Sequence, residues 1–596
     1  MSYIHEEEFT QKVDMNIWKR LIAYAFRYKK LLVALLATLI ITTIGDIAFP
    51  LFNRYAIDNF VMKETTDGIT TYAIVYVATI IVQAVTVMFF LSFAGKLEMR
   101  MAYDIRQDAF TKLQLLSFSY YDKTAVGYIH ARVISDVGRL SEMIAWGLVD
   151  IFMALLYLIG CISIMFSLNV KLALYTLAVF PILAIITVFF QKKILTYYRR
   201  VRRANSRITG AFSEGIMGAM TTKTLVREEE NLQDFKVLTE DMRHVSARAS
   251  TLSAIFMPIV MFLSSVGTAF ALFKGGQEVL LSIISVGTLT TFISYTTQMF
   301  DPIQQLARIL AEMQNAQASA ERVISLIDTP IDITDTPEVE AVYGTSLYPK
   351  RENWPSIKGD VTFSHVDFSY IPEEMILEDF NLHVPAGSSV ALVGETGAGK
   401  STIINLICRF YEPTGGQILI DGVDYKERSQ LWMQSNLGYV LQQPHLFSGT
   451  IRDNIAFGRK DATDEEIHAA ARMVHAEGFI LEQKDGYHTE VGEGGIRLST
   501  GQKQLISFAR VILADPRIFV LDEATSSIDT ETEQLIQHAI TTVLEGRTSF
   551  IVAHRLSTIR NSDMILVIGD GGIIEQGNHE TLIKQRGAYY NLYMNQ

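Results

Sequence analysis

The stretch GETGAGKS, residues 394–401, decides the fold of the second half of the chain. It has the pattern G-x-x-x-x-G-K-[ST] of a loop that holds the phosphates of a nucleotide. The apolar segment Ser389–Val393 precedes it, and an apolar segment at residues 402–408 follows it. This order predicts a strand, a glycine-rich loop and a helix, because backbone N–H groups can then surround an anion at the helix N-terminus.

Each residue type in the loop has a predicted task. Lys400 would reach the β- and γ-phosphates, and the Ser401 hydroxyl would hold Mg²⁺. The predicted nucleotide ligands in this region are Gly394, Glu395, Thr396, Gly397, Ala398, Gly399, Lys400, Ser401 and Thr402.

The first half of the chain has a different composition from the second. Long uncharged apolar runs fill it and raise the 596-residue chain to 49% hydrophobic residues, with a mean hydropathy of +0.21. A helix needs about 20 apolar residues to cross a bilayer core of about 30 Å. Six runs are long enough, at about residues 31–51, 71–95, 151–170, 172–190, 251–273 and 279–300. They predict membrane spans rather than the buried helices of a soluble protein.

Basic residues set the predicted orientation of these spans. The segments 96–142 and 191–250 are long and rich in Lys and Arg, whereas the connection 52–69 holds only Arg54 and Lys63. The positive-inside rule places both long segments, the N-terminus and the C-terminal half in the cytoplasm. We expect each long segment to extend its helices and to double back, at residues 118–124 and 212–217, where it docks on the C-terminal half.

Polar residues inside the spans are candidates for contact with a substrate. Gly287, Thr291, Ser294 and Gln298 share one face of the sixth span. This face either packs against a neighbouring helix or lines a water-accessible cavity. Asp46 in the first span either faces the same cavity or marks its outer mouth. The candidate substrate residues are therefore Asp46, Thr291, Ser294 and Gln298.

Downstream of the phosphate loop, polar residues follow predicted strands. Asp522 ends an apolar strand and suits Mg²⁺, which prefers a few carboxylates together with water and phosphate oxygens. Glu523 is then placed to polarise an attacking water, and His554 would contact the γ-phosphate or orient that water. Gln442 would bind Mg²⁺ through its amide, so the predicted metal ligands are Ser401, Gln442 and Asp522. Tyr370, upstream of the loop, can stack on an adenine.

Charge and cysteine content exclude several other classes of protein. The net charge of −12 gives no indication of nucleic-acid binding. The two cysteines, Cys161 and Cys408, fall in an apolar run and in a predicted helix, which is typical of buried thiols rather than of a disulfide framework or a metal site. The polar, acidic N-terminus predicts no signal peptide.

At this point the sequence resembles a half-transporter of the ATP-binding cassette (ABC) exporter family over nearly its whole length. The decisive residues are Leu498, Ser499, Thr500, Gly501 and Gln502, which resemble that family's signature LSGGQ. A phosphate loop alone is shared by many nucleotide-binding proteins. The ordered set of phosphate loop, Gln442, signature, Asp522-Glu523, the segment 526–529 and His554 is highly specific.

The resemblance implies a fold class and a domain order. We expect an all-α membrane domain of six helices with long cytoplasmic helical extensions at residues 1–328 and a linker at 329–355. A P-loop α/β ATP-binding cassette domain would follow at 356–596. Two such cassettes bind two ATP molecules head to tail, each between the phosphate loop of one chain and the signature of the other. The chain would therefore act as a dimer.

Thr500 departs from the family pattern, since glycine is usual there. A Cβ at this position could crowd the approach of a phosphate. A degenerate signature beside an intact Glu523 resembles one chain of a heterodimeric bacterial exporter, although a homodimer would also tolerate it. The expected partner is a second half-transporter chain.

The resemblance also implies a function. We expect ATP- and Mg²⁺-dependent efflux of amphipathic small molecules, such as drugs, lipids or peptides, across the cytoplasmic membrane by alternating access. The alternative is a membrane-bound cassette ATPase that regulates another membrane protein without moving solute.

Overall fold

In the computed structural model of this chain, residues 14–371, 373–442, 444–522, 530–552 and 559–595 are described. Their contacts divide them into two compact units. The first unit contains residues 14–114 and 124–329, and the second contains residues 115–123 and the described residues from 330 onward.

The described part of the first unit is helical and contains no strand. Up to residue 328 the α-helices are α1 (Met15–Phe26), α2 (Lys29–Ala56), α3 (Ile69–Leu115), α4 (Phe118–Lys123), α5 (Val126–His130), α6 (Val137–Leu168), α7 (Val170–Leu177), α8 (Val179–Met217), α9 (Ala219–Thr224), α10 (Glu228–Leu280), α11 (Val286–Gln298) and α12 (Phe300–Asp328). Of these, α4 belongs to the second unit. Short π-helical segments extend α2 and precede α6, at Ile57–Val61 and Ala131–Asp136.

Within the described residues, five helical stretches are long and apolar enough to cross a membrane. They are Lys29–Val61, Ile69–Leu115, Val126–Leu168, Val170–Met217 and Glu228–Leu280. Each overlaps one of the first five predicted spans. Their lengths of 33 to 53 residues exceed the about 20 that a bilayer requires, so the helices continue well beyond any hydrocarbon layer.

The predicted sixth span, at residues 279–300, is interrupted in the structure. Helix α10 continues to Leu280, and α11 begins only at Val286. Ser285 caps α11, because its side chain accepts a hydrogen bond from the Thr288 N–H at 3.0 Å. The turn between the helices is itself apolar, so the hydropathy pattern concealed this boundary. Helix α12 follows α11 after one residue, Met299.

The second predicted reversal, at residues 212–217, is wrong. These residues complete α8, and the chain reverses through Gly218 and the short helix α9 before α10 begins at Glu228. No proline interrupts the stretch 212–217, whereas Gly218 and the three glutamates at 228–230 are typical of a helix end and a helix start.

The second unit contains two sheets. Their strands are β1 (Val361–Ile371), β2 (Glu374–Val384), β3 (Ser389–Val393), β4 (Gly415–Ile420), β5 (Val423–Asp424), β6 (Leu437–Val440), β7 (Ile518–Asp522), β8 (Thr548–Val552), β9 (Met564–Gly569) and β10 (Gly572–Gly577). An antiparallel sheet has the order β2-β1-β4-β5. The larger sheet has the order β10-β9-β3-β8-β7-β6, in which only β10 is antiparallel to its neighbour.

The second unit also contains ten α-helices from residue 330 onward within the described residues. They are α13 (Pro337–Tyr343), α14 (Lys400–Ile407), α15 (Gln430–Ser435), α16 (Ile451–Ala456), α17 (Asp464–Met473), α18 (Glu477–Glu482), α19 (Thr500–Ala514), α20 (Thr530–Leu544), α21 (His579–Gln585) and α22 (Ala588–Asn595). Along β3, Ala391 and Val393 face one hydrophobic cluster, and Val390 and Leu392 face another. This alternation explains the continuous apolar runs of the parallel strands, because both faces of the sheet are buried.

The stretch predicted as a linker, residues 329–355, contains ordered elements of the second unit. Thr336 caps α13 and Pro337 starts it, a pairing that is favourable at a helix N-terminus. Asp335 forms an ion pair with Arg409 at 3.1 Å, with both side chains buried. The lack of sustained periodicity hid these contacts, since a seven-residue helix is too short to show one.

Candidate functional site

The predicted phosphate loop connects β3 to α14, as its sequence context requires. Gly399 has φ of +96° and immediately precedes the helix. Gly394 has φ of +150°, and a Cβ there would lie 2.4 Å from the carbonyl oxygen of Ile568. Both positions therefore need glycine, and the resulting path turns the chain sharply into a helix N-terminus that can bind an anion.

Lys400 lies beneath this loop, with only 9% of its surface exposed. Its ammonium donates hydrogen bonds to the carbonyl oxygens of Gly394 and Glu395, at 2.8 and 2.7 Å. Burial lowers the pKa of Lys400, and the nearby Asp522 carboxylate acts in the opposite direction. A buried cation at a helix N-terminus fits the negative charge of a polyphosphate.

The other loop residues differ in exposure. Glu395, Thr396 and Gly397 are exposed at the tip, and Ser401 is exposed on the first turn of α14. Thr402 is buried, so its side chain faces the core. Ala398 is half-buried.

Parallel strands bring the predicted metal ligands to the same edge of the sheet as the loop. The register pairs Leu392 of β3 with Val552 of β8, and Val552 with Asp522 of β7. Gln442 is exposed two residues after the end of β6, which pairs with β7. Asp522 thus ends one strand, whereas Ser401 and Gln442 follow two others. The carboxyl ends of these three strands lie at the same edge of the sheet.

The chemistry of this donor set suits Mg²⁺ bound together with phosphate. Among the described residues, no three His, Cys, Asp or Glu side chains cluster closely enough to hold a metal by themselves. A hydroxyl, an amide and one carboxylate supply oxygen ligands but leave positions for phosphate oxygens and water, which is the coordination that Mg²⁺ prefers.

Tyr370, the predicted adenine contact, lies near the end of β1 and is 40% exposed. Its hydroxyl accepts a hydrogen bond from the Asn405 side chain of α14 at 3.1 Å. Its ring packs edge-on to Tyr411, with centroids 5.0 Å apart. These contacts hold the ring beside the helix that starts at the phosphate loop.

The signature residues form the N-terminus of α19. Ser499 and Gln502 form a reciprocal capping box, in which the Gln502 N–H donates to Ser499 Oγ at 3.2 Å and the Ser499 N–H donates to Gln502 Oε1 at 3.0 Å. Leu498 and Gly501 are buried, whereas Thr500 is exposed on the first turn. The motif therefore presents a capped helix N-terminus with the Thr500 side chain at its surface.

Two predicted catalytic residues, Glu523 and His554, lie outside the described residues, as does the segment 526–529. The last described residue of β7 is Asp522, and that of β8 is Val552.

The candidate substrate residues of the first unit differ in burial and in hydrogen-bond partners. Thr291 is 1% exposed, and its hydroxyl donates to the carbonyl oxygens of Pro50 and Gly287, so it packs α11 against α2. Ser294 is half-buried, and Gln298 is exposed and accepts a hydrogen bond from the Tyr157 hydroxyl. Asp46 is half-buried and accepts a hydrogen bond from Gln83 of α3. This face of α11 was expected either to pack against a neighbouring helix or to line a cavity. The contacts of Thr291 fit helix packing.

The sequence predicted that the first reversal, at residues 118–124, would dock on the C-terminal half. It did not predict which residues this reversal would contact. Helix α4 lies in the second unit, where Phe118 stacks on Phe410 with centroids 4.5 Å apart. The Tyr411 hydroxyl donates to Asp122 at 2.6 Å. The aromatic pair Phe410-Tyr411, which begins three residues after the end of α14, was the available sequence signal, but no sequence pattern links this pair to Phe118.

The Asp332 carboxylate also binds this segment. It accepts hydrogen bonds from the hydroxyls of Ser119, at 2.5 Å, and Ser117, at 3.2 Å. Residues that precede α13 therefore contact α4 as well.

Comparison with known proteins identifies both halves. Residues 32–303 match the family described as the ABC transporter transmembrane region, and residues 377–526 match the family described as ABC transporter. The chain is 35% identical over 579 residues to the uncharacterized ABC transporter ATP-binding protein YknV of Bacillus subtilis, covering 97% of this chain and 94% of that protein.

Two further relatives extend this likeness. A fatty acid ABC transporter ATP-binding/permease protein of Mycobacterium bovis is 37% identical over 488 residues, which cover 82% of this chain and 75% of that protein. The solved structure of a bacterial Atm1-family ABC exporter with ATP bound superposes with a TM-score of 0.77 at 27% identity, covering 95% of this chain and 98% of the other.

Proposed function

Because this chain belongs to the ABC transporter family, as an exporter with fused membrane and ATP-binding domains, we propose that it exports amphipathic small molecules across the cytoplasmic membrane by alternating access. It is a multi-pass membrane protein that binds ATP and couples ATP hydrolysis to transport. One observation carries the proposal: a phosphate loop, a buried lysine and Asp522 meet at one sheet edge, and the described residues of the same chain include five helical stretches long enough to span a membrane. The fatty acid transporter of Mycobacterium bovis supports an amphipathic substrate.

Each residue of the site has a proposed role. Lys400 and the loop N–H groups hold the phosphates, Tyr370 stacks on the adenine, and Ser401, Gln442 and Asp522 hold Mg²⁺. When bound, Mg²⁺ would neutralise charge on the β- and γ-phosphate oxygens. Glu523 polarises the attacking water, and His554 orients it or contacts the γ-phosphate.

The complete site requires a second chain. One chain has one phosphate loop and one signature, and in a head-to-tail pair each loop faces the partner's signature. ABC exporters function as dimers, and we favour a heterodimer because Thr500 replaces the usual glycine while Glu523 is intact. The phosphate loop of this chain would then belong to the hydrolysing site.

The proposed orientation places the ATP-binding domain and the N-terminus in the cytoplasm. The segments 96–142 and 191–250 carry most of the basic residues of the first half, which favours their retention on the cytoplasmic side.

Flux of fluorescent amphipathic compounds into proteoliposomes tests the function. The purified chain, alone and together with a candidate partner half-transporter, is expected to accumulate a compound only with ATP and Mg²⁺. Lys400→Ala in the same preparation should abolish accumulation. Sustained ATP hydrolysis without flux of any compound would instead favour an ATPase that regulates another membrane protein.

A further inference from the structure

Asp46 is an acidic residue inside a helix long and apolar enough to span a membrane. Its Oδ1 accepts a hydrogen bond from Gln83 Nε2, across the contact between α2 and α3. A carboxylate at such a position is costly unless a partner compensates its charge, so ionisable residues within spans mark functional sites.

The protein provides no counter-charge for Asp46 within its described residues. No Lys, Arg or His there forms an ion pair with it, and its Oδ2 accepts no hydrogen bond from them. Asp58, at the far end of the same helical stretch, differs in this respect. It lies 3.7 Å from Arg54 and accepts hydrogen bonds from the Ser285 hydroxyl and the Gly287 N–H.

Aromatic rings follow Asp46 along the same contact between α2 and α3. The ring cluster consists of Phe49, Phe52, Tyr55, Phe60, Tyr72 and Tyr76. Phe49 and Tyr76 have centroids 5.5 Å apart, and Phe52 and Tyr76 have centroids 5.6 Å apart. Phe49 comes three residues after Asp46, so the two lie on one helical face. The rings are half-buried or exposed, and their faces therefore remain partly accessible.

Helix packing alone does not require the charge of Asp46. One turn away, the Thr42 and Thr86 hydroxyls join the same two helices through a neutral hydrogen bond of 3.1 Å. An asparagine at position 46 could accept the same bond from Gln83, because its side-chain carbonyl replaces the carboxylate oxygen. The packing of α2 against α3 therefore does not explain why residue 46 is negatively charged.

We propose that Asp46 and the ring cluster form a binding site for lipophilic cations, which makes amphipathic cations the preferred substrate class. The carboxylate would neutralise the positive centre, and the ring faces would attract it through cation–π contacts and cover its apolar groups. This inference rests on the proposed export function and specifies its substrate.

Equilibrium binding of two size-matched hydrophobic ions tests the site. Tetraphenylphosphonium is cationic and tetraphenylborate is anionic, and each is titrated against the purified full-length chain in lipid nanodiscs. We expect the wild type to bind the cation saturably and much more tightly than the anion. Asp46→Asn should raise the Kd for the cation about tenfold, which corresponds to about 1.4 kcal/mol, and leave anion binding unchanged.

Two further variants separate charge from structure. Asp46→Glu retains the charge and should restore most of the cation affinity. Asp67→Asn removes an exposed aspartate from the connection between α2 and α3 and should leave the Kd unchanged. Equal binding of the two ions, no saturable cation binding, or an unchanged Kd in Asp46→Asn would each overturn the inference.

The transport assay distinguishes this failure from failure of the proposed function. If the chain exports neutral amphipathic compounds but its cation binding does not depend on Asp46, the export function is supported and the cation site is refuted. If no compound is moved, the export function itself is refuted.

Discussion

Lys400 shows how one side chain serves both the fold and the site. In the structure its ammonium satisfies two loop carbonyls, and burial lowers its pKa. A polyphosphate would supply the charge that favours the ammonium form. The position of this lysine follows from the sequence motif, but the identity of its acceptors depends on the path of the loop.

Lys400→Ala is expected to weaken ATP binding about ten- to hundredfold, because a hydrogen bond to a charged group contributes about 1.5–3 kcal/mol. Titration of the purified chain with a fluorescent ATP analogue measures the change. Lys460→Ala, an exposed lysine in a turn of the same unit, is the control and should leave the affinity unchanged. Equal affinities of Lys400→Ala and wild type would contradict the assignment.

Glu523→Gln is expected to retain ATP binding while slowing hydrolysis about 10²–10⁴-fold, because the amide cannot accept a proton from the attacking water. Phosphate release and the amount of trapped ATP are both measured. Glu482→Gln, at the exposed end of α18, serves as a matched change of the same type. Wild-type turnover in Glu523→Gln would refute its role as the base.

At the scale of elements, α4 connects two distant parts of the sequence within the second unit. Phe118 packs on Phe410, and Asp122 accepts from Tyr411, which directly follows Phe410. These two aromatic residues come soon after α14, the helix that begins at the phosphate loop. We infer that α4 senses movement near the nucleotide.

Phe118→Ala should preserve basal ATP hydrolysis but reduce the stimulation by a transported compound to less than about half of the wild-type stimulation. The reason is that an aromatic pair contributes about 0.5–1.5 kcal/mol beyond its area burial. Steady-state ATPase rates with and without the compound measure this. Val126→Ala, at an exposed site in α5, should keep full stimulation. Full stimulation in Phe118→Ala would show that the ring contact does not couple the two events.

The ion pair between Arg409 and Asp335 anchors the segment before α13. Arg409 is 1% exposed and also donates to Glu412 and to the backbone carbonyls of Tyr425 and Arg428. Removal of Asp335 would leave the buried guanidinium with Glu412 as its carboxylate partner and with one hydrogen-bond acceptor fewer.

Asp335→Ala should therefore lower the free energy of unfolding of the second unit by about 1–3 kcal/mol, which is the cost of leaving a buried donor without one of its acceptors. Urea denaturation of the full chain, followed by tryptophan fluorescence, measures the loss, because the second unit contains the buried Trp432. Asp464→Ala breaks the more exposed pair with Arg452 and should cost only about 0–1 kcal/mol. Similar losses in both variants would contradict the anchoring role.

At the scale of the whole molecule, we propose that one chain supplies half of each ATP site. Its signature caps α19 and exposes Thr500, whereas its phosphate loop lies at the edge of the parallel sheet. In the proposed head-to-tail pair the two motifs would serve different ATP molecules, so the partner would determine how many sites hydrolyse.

The chain purified alone is expected to hydrolyse ATP slowly. Addition of a partner half-transporter with an LSGGQ signature should increase the rate at least about tenfold, because the partner's signature would supply a contact to the transition state that Thr500 impairs. ATPase assays of the chain alone and of the co-purified pair give the comparison. High activity and compound-stimulated transport by the chain alone would rule out an obligate heterodimer.

The sequence by itself determined the class of fold, because hydropathy runs and the motif order are local properties. It also located the phosphate loop, the strand that ends at Asp522 and the signature, since each combines a short pattern with a predictable strand or helix. Helix boundaries at Gly218 and Ser285 were less predictable, because apolar or helix-forming residues continue up to them.

Only the tertiary structure decided which distant residues meet. It buried Thr291 against Pro50, placed Phe118 on Phe410, and joined Asp335 to Arg409. It also left Asp46 with Gln83 and without a cation among the described residues. Such pairings depend on helix rotation and on the three-dimensional path of the chain, and a one-dimensional pattern does not encode them.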